Sequence, residues 1–415
     1  MAPTSAPGRP AAYPVHTERA DFIAENREQH MQTETSSNGR APSHEQGLSV
    51  AVVGLEFGKE FVPIYRDHPS VSHVAIADLR PSLREAAAER FGIDSVHESL
   101  DAVLGDPTID AVHILSGLAD HAEHVITALD AGKHVACTVP MALTFDDIQR
   151  IIDAQARSGK VYMMMETAVY TREYLFAEEL LRSGSMGEIG YARGTHFQDM
   201  TDWPPYWTGL PPMFYATHAV SPILRVLDAR ASTVQAIGGG RLRPENRGEY
   251  GNPFAVESAL VQLEGRDTVV EITRSLFQLA RSYTESFSIY GDRQGFEWPQ
   301  DESESPLLYT MGAETTGRGR TITAERIEAP DRADLLPEPI RRYTRQFTDS
   351  SHRSFVQGGG HGGSHPHLVN EFVSSIVEGR APAIDQVRAA NWTATGIAAH
   401  ESALAGGALV EVPRF

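Results

Sequence analysis
A chain of 415 residues is too long for one ordinary core, so two domains are the default. With 41% hydrophobic and 22% charged residues it has the make-up of a globular protein, and no run approaches eighteen consecutive apolar residues, so no membrane span is expected. A net charge of −19, from 36 basic against 55 acidic side chains, argues against nucleic acid and anionic lipid as partners but would not repel a neutral small molecule.

Residues 1–46 are rich in Pro, Ser, Ala, Gly and charge, without a sustained period, and read as a flexible N-terminal arm. They hold no apolar core of the kind a secretory signal needs, and the single Cys137 rules out an internal disulfide. The expected compartment is the cytoplasm.

From Leu48 the sequence reads LSVAVVGLEFGK, an apolar β-run that breaks into a glycine turn and then a helical pattern. A dinucleotide-binding unit begins this way, because the helix that follows the turn points its N-terminus at a pyrophosphate. In the usual G-x-G-x-x-G spacing the three positions here are Gly54, Glu56 and Lys59, with Gly58 off register. Strand candidates follow at 73–78, 110–115, 134–138 and 161–166, with helical patterns at 82–91, 120–131 and 144–158 between them. Buried strands joined by helices predict a doubly wound parallel sheet, placed over residues 47–167. Asp78 closes the second strand, where a carboxylate can accept hydrogen bonds from the adenosine ribose and so favours NAD. Arg80, two residues on, keeps NADP as the alternative, since it could hold a 2′-phosphate. Helix capping is the plain reading of Asp78.

Residues 168–415 change character. One helix (172–183) leads into period-two strands at 189–200, 232–238, 254–263, 267–276 and 284–290, which predict a large, mostly antiparallel open sheet. Two helical stretches, about 366–378 and 387–404, finish the chain. The fold class is therefore α/β: a Rossmann-type parallel sheet followed by an α+β domain on an open sheet.

Glu166, Tyr170 and Arg172 follow the C-terminal end of the strand at 161–166, where open α/β sheets bind ligands, and are candidate substrate contacts against a strand-capping alternative. Trp203, Tyr206 and Trp207 cluster near Asp199 and Asp202. Aromatic faces beside carboxylates suit a sugar ring, and a plain core cluster is an equal competitor. Tyr215 and His218 are three apart after Pro211-Pro212, which places them on one face of a helix. An imidazole that titrates near neutrality is the usual general base for alcohol oxidation, and a neighbouring phenol could orient the same hydroxyl. The His361-x-x-x-His365-x-His367 loop invites a zinc reading, but no matched carboxylate or cysteine set is visible in the sequence, so no metal is expected.

Three segments, AVVGLEFGKEFVPIY (51–65), HILSGLADHAEHVITALDAGKHVACTVPMALT (113–144) and WPPYWTGLPPMFYATHAVSP (203–222), resemble the glucose–fructose oxidoreductase / inositol dehydrogenase (Gfo/Idh/MocA) family. Two late segments, GGGHGGSHPHLVNEF (358–372) and AANWTATGIAAHESAL (389–404), resemble its glycoside-acting branch. The resemblance implies NAD(P)-dependent hydride transfer on a sugar or glycoside and homo-oligomers that pair through the C-terminal sheet. It also implies a cofactor site of Gly54, Phe57, Gly58, Asp78, Arg80, Ser116, His121, Thr138 and Pro140, with His218 as the catalytic histidine and the loop at His365 closing over the glycoside. Two positions depart from the family pattern. Glu56 replaces the close-approach glycine, where Lys59 could partly neutralise it, and Val139 replaces the lysine that normally moves the hydroxyl proton. Valine has no titratable or hydrogen-bonding group. Phe214 stands where the family often has an acidic residue, so a carboxylate–histidine pair from that source is lost. The expected activity is oxidation of a secondary hydroxyl, with C3 a candidate. The alternatives are glycoside cleavage with recycled cofactor on the same scaffold, and a non-catalytic sugar- or partner-binding homologue.

Overall fold
The computed structural model describes residues 47–299, 301, 304–314, 317–345 and 361–415. The arm read at residues 1–46 lies outside them.

The first apolar run forms β1 (Leu48–Val53), with every residue buried. It lies at the centre of a six-stranded parallel sheet with β2 (Val71–Ala77), β3 (Ser95–His97), β4 (Ala111–Ile114), β5 (His134–Cys137) and β6 (Tyr162–Met164), in the order β3-β2-β1-β4-β5-β6. The order reverses between β1 and β4, so the turns after these two strands open a crevice at the carboxyl edge, where such sheets take ligands. Helices Pro81–Phe91, His121–Asp130 and Phe145–Ser158 link the strands. The last begins where Thr144 accepts a hydrogen bond from the Asp147 N–H at 3.1 Å and ends at left-handed Gly159, the start and stop signals expected of an isolated helix.

The second sheet has nine strands: β7 (Ile189–Phe197), β8 (Ala231–Arg241), β9 (Phe254–Leu263), β10 (Val269–Ser275), β11 (Thr284–Gly291), β12 (Gln294–Glu297), β13 (Leu307–Glu314), β14 (Arg320–Arg326) and β15 (Val410–Glu411). Their order is β14-β13-β12-β11-β7-β10-β9-β8-β15, antiparallel except where β10 runs parallel to β7. This is the large, mostly antiparallel open sheet expected. The period-two pattern is plain in β9, whose side chains alternate between buried and exposed or half-buried over most of the strand. Strands β12 to β15 and β3 are additions to the sequence reading. Every residue of β14 is exposed, so it lacks the alternation that would reveal a strand.

Helix Thr217–Val226 lies across β7 at very short range. A Cβ on Gly194 of β7 would meet the Ala219 carbonyl oxygen at 2.0 Å, so only glycine lets this helix settle where it does. Helix Gln386–Leu404 packs on β8 and on the 3₁₀ turn Pro212–Tyr215 in the same manner, with Gly396 facing the Met213 carbonyl at 2.1 Å from its would-be Cβ. No helix among the described residues is long and apolar enough to cross a membrane.

Candidate functional site
The turn after β1 needs glycine at its first position. Gly54 has φ 96°, and a Cβ there would meet the Leu115 carbonyl at 2.4 Å. The carboxylate of Asp78 braces this turn. Its Oδ2 accepts from the Leu55 N–H at 2.8 Å and its Oδ1 from the Arg80 N–H at 2.9 Å. Burial works to raise the Asp78 pKa, but the Arg80 and Leu55 donors outweigh it and hold the carboxyl below its ordinary range. Glu56, whose side chain is exposed, pairs with Arg80 at 2.8 Å, so Arg80 rather than Lys59 partners it and offsets its charge at the mouth of the cavity. The guanidinium of Arg80 also reaches Asp78 Oδ1 at 3.3 Å, so both carboxylates share it.

A cavity of about 370 Å³ begins at Glu56 and Phe57, passes Ser116, His121, Thr138 and Val139, and ends against Trp203, Trp207, Tyr215 and His218. His121 is fixed beneath it by Nδ1 donating to the Pro140 carbonyl at 2.8 Å, and burial lowers its pKa, so the ring is held neutral. The Ser116 hydroxyl lies 2.7 Å from His124 Nδ1. A glycine cradle that a Cβ would fill, a glutamate whose charge is paired by Arg80 and a cavity at the carboxyl edge of the sheet together fit a dinucleotide.

Tyr215 and His218 do not share a helix as the three-residue spacing suggested. Tyr215 ends the 3₁₀ turn Pro212–Tyr215, His218 lies in the first turn of helix Thr217–Val226, and Ala216 between them sits at φ −97°, ψ 1°. That bridge conformation breaks the helical register. The rings nonetheless meet edge to face at 5.3 Å. The 3₁₀ turn is pinned from behind by Glu257, fully buried, which accepts from the Met213 N–H at 2.9 Å and pairs with His400 at 2.7 Å.

His218 Nδ1 donates to Glu166 Oε1 at 2.5 Å, with Glu285 Oε1 3.9 Å away, and all three side chains are buried. Burial opposes the imidazolium, but the carboxylates of Glu166 and Glu285 prevail and raise the His218 pKa above its ordinary value. Burial also raises the Glu285 carboxyl, and Tyr283 donates to its Oε2 at 2.7 Å. His196, on β7, completes the wall. Its ring meets that of His218 at 5.0 Å, and neither of its nitrogens has a partner among the described residues. Burial pushes the His196 pKa well below the ordinary value, so it faces the cavity as a neutral donor and acceptor. Buried Arg274 holds the Tyr215 carbonyl at 2.9 Å and the His196 carbonyl at 3.0 Å, tying the two sides of the wall together.

The structure thus gathers Phe57, Ser116, His121, Thr138, Trp203, Trp207, Tyr215 and His218 around one cavity, and Glu166 reaches it through His218. Gly54, Gly58, Asp78, Arg80 and Pro140 shape or brace its cofactor end without lining it. Three expected substrate contacts lie elsewhere. Tyr170 stacks on His367 and takes the Arg225 guanidinium over its ring, Arg172 donates to the Thr344 and Gly362 carbonyls, and His365 stacks on Phe61. Each side chain found a partner far from it in sequence, which no local pattern discloses. Sequence reasoning missed His196, Arg274 and Glu285, and it assigned Glu166 to substrate rather than to histidine. The strand periodicity read at 189–200, 267–276 and 284–290 was the only signal for these three, and it does not say which inward residue meets the helix.

Residues 48–166 match the family model GFO_IDH_MocA, described as an oxidoreductase family with an NAD-binding Rossmann fold. A glycosyl hydrolase family 109 protein 1 from Bacteroides thetaiotaomicron is 23% identical over 404 residues, covering 89% of this chain and 84% of that one. A levoglucosan dehydrogenase from Pseudarthrobacter phenanthrenivorans is 31% identical over 168 residues, 38% of this chain and 43% of its own. Among solved structures, a levoglucosan dehydrogenase in complex with NADH and levoglucosan superposes with a TM-score of 0.71 at 22% identity, covering 89% of this chain and all of that one.

Proposed function
We propose that this chain, whose residues 48–166 match the family model of an oxidoreductase family with an NAD-binding Rossmann fold, is an NAD-dependent oxidoreductase that oxidises a secondary hydroxyl of a sugar or glycoside, with ring C3 the candidate carbon. The observation that carries the reading is the buried Glu166–His218 pair in the wall of a cavity that begins at the dinucleotide turn. Bound NAD supplies the hydride acceptor. With Nδ1 held by Glu166, His218 takes the hydroxyl proton at Nε2, and the resulting imidazolium is stabilised by the carboxylate it already touches. Val139 offers no group for this task, so His218 is the base. The unpartnered nitrogens of His196 and the phenol of Tyr215 position the substrate, and Trp203 and Trp207, edge to face at 6.0 Å, present aromatic surface to its C–H face. The sugar-acting names of the relatives support a saccharide in this space. Arg80 is engaged by Glu56 and Asp78, which favours NAD over NADP. In this reading residues 47–167 bind the dinucleotide, and residues 168–415 bind the sugar and pair copies of the chain through the nine-stranded sheet, whose outer face exposes Ile237, Leu260 and Val269.

A second reading, glycoside cleavage by elimination with the cofactor recycled, is favoured by Glu285, a second buried carboxylate beside the same imidazole. Product analysis separates the two. Net NADH marks the dehydrogenase, and aglycone release without NADH marks elimination. For either, His218→Asn is expected to lower turnover by roughly 10²–10⁴-fold while NAD affinity, read by calorimetry, is unchanged. Retained turnover in that variant overturns the assignment.

A further inference from the structure
Beside the catalytic wall lies a second group of side chains that the proposed reaction does not use. Glu60, at the cofactor end, meets His361 and His365 from the far end of the chain, and each offers one donor atom so that all three lie within 4.8 Å of one another. His361 Nδ1 is 3.1 Å from His365 Nε2, and Glu60 Oε2 is 3.4 Å from the other nitrogen of that ring, Nδ1, so an ion takes one of the two nitrogens and the carboxylate or His361 moves to meet it. The sequence shows two histidines four apart and no carboxylate to match them; folding supplies the carboxylate from some 300 residues upstream.

We propose that Glu60, His361 and His365 bind one divalent transition-metal ion of the zinc class, with its remaining coordination position open to the main cavity. Two imidazoles and a carboxylate with one open position make a donor set typical of exchangeable catalytic zinc rather than of a closed structural site. In a tetrahedron with bonds of about 2.0–2.1 Å the donors stand about 3.4 Å apart, so the set, whose donors lie within 4.8 Å, closes by a shift on the order of 1 Å of the Glu60 side chain, which is only half-buried. The rings are held for this. Phe57 meets both imidazoles edge to face at 5.6 Å, and Phe61 stacks on His365 at 4.2 Å. Glu60 and His361 line the cavity, which sets the open position toward substrate. His365 is 1% exposed, so that side of the set is shut off from bulk solvent. An ion here would take a hydroxyl or water oxygen in a cavity where Val139 provides no cation. That role rests on the function proposed above, whereas the binding itself does not.

The test uses the full chain, freed of metal with a chelator and titrated with Zn²⁺ by calorimetry and with Co²⁺ by visible absorption. One equivalent is expected, with the intense absorption of tetrahedral cobalt. Glu60→Gln and His365→Asn should each weaken binding at least about tenfold. His367→Ala, at a ring stacked on Tyr170 outside the set, should leave binding unchanged. His365 is buried and its variant could misfold, so Glu60→Gln, with circular dichroism as the check on folding, decides by itself. Absence of binding in the unaltered chain, or full binding in Glu60→Gln, overturns the site. NAD affinity measured on the same metal-free sample separates this outcome from failure of the dinucleotide reading.

Discussion

Glu166 and His218 are 52 residues apart in the chain and 2.5 Å apart in the fold, and this contact sets the protonation of the proposed base. The His218 pKa lies above its ordinary value because the two carboxylates outweigh burial, so the neutral, active form is lost as pH falls through that raised value. Glu166→Gln removes the larger of the two charge contributions. The acidic limb of the kcat/KM profile is therefore expected to move to lower pH while the plateau drops by roughly 10²-fold or more. An unmoved limb would show that Glu166 does not govern the imidazole. Residues that lie in turns or motifs, such as Phe57, Ser116, Trp207 and His218, were legible in the sequence because their neighbours mark them. Glu166 was legible as a strand-end acid, but its partner was not. The loss of an acid at Phe214 pointed to an unpaired histidine, and the structure restores the pair from β6's far end. His196, Arg274 and Glu285 stand on strands whose alternation tells inside from outside and nothing more.

At the level of elements, the active wall depends on two close approaches of backbone to backbone. Helix Gln386–Leu404 touches the turn that carries Tyr215 through Gly396, whose would-be Cβ meets the Met213 carbonyl at 2.1 Å. In an open helix, Gly→Ala stabilises by about 1 kcal/mol. Here the contact overrides that preference, and Gly396→Ala is expected to destabilise the chain by about 1–3 kcal/mol in denaturant titration and to reduce turnover through displacement of Tyr215. A gain in stability would show that the helix and turn are not in contact. The six helices read at 82–91, 120–131, 144–158, 172–183, 366–378 and 387–404 were legible to within a residue or two, since caps such as Thr144 and stops such as Gly159 and Gly379 are local signals, whereas Val62–Asp67, Leu100–Leu104 and Thr217–Val226 were not bounded. The edge strand β14 was not, because a strand with both faces wet carries no hydrophobic period, and β12, four residues long, is too short to show one.

Across the whole molecule, the −19 charge opposes the approach of a dinucleotide that carries two phosphates. NAD affinity is therefore expected to rise a few-fold as ionic strength goes from about 0.01 to about 0.15 M, where the screening length falls from about 30 to about 8 Å. A fall over that range would mean that local cations, Arg80 foremost, dominate the global field. The two-sheet architecture was legible because alternation of strand and helix gives way, near residue 167, to strands with period two. How helix Gln386–Leu404 bridges the two sheets, touching β8 on one side and β6 on the other, depends on contacts between distant segments and left no mark on the sequence. The chain emerges from the ribosome with Glu166 at the end of its first sheet, but the partner His218 follows 52 residues later, Glu285 later still, and His361 and His365 close to the end. The proposed site is therefore completed last, so a nascent or prematurely terminated chain can own every strand of the parallel sheet and still lack the groups assigned to the chemistry.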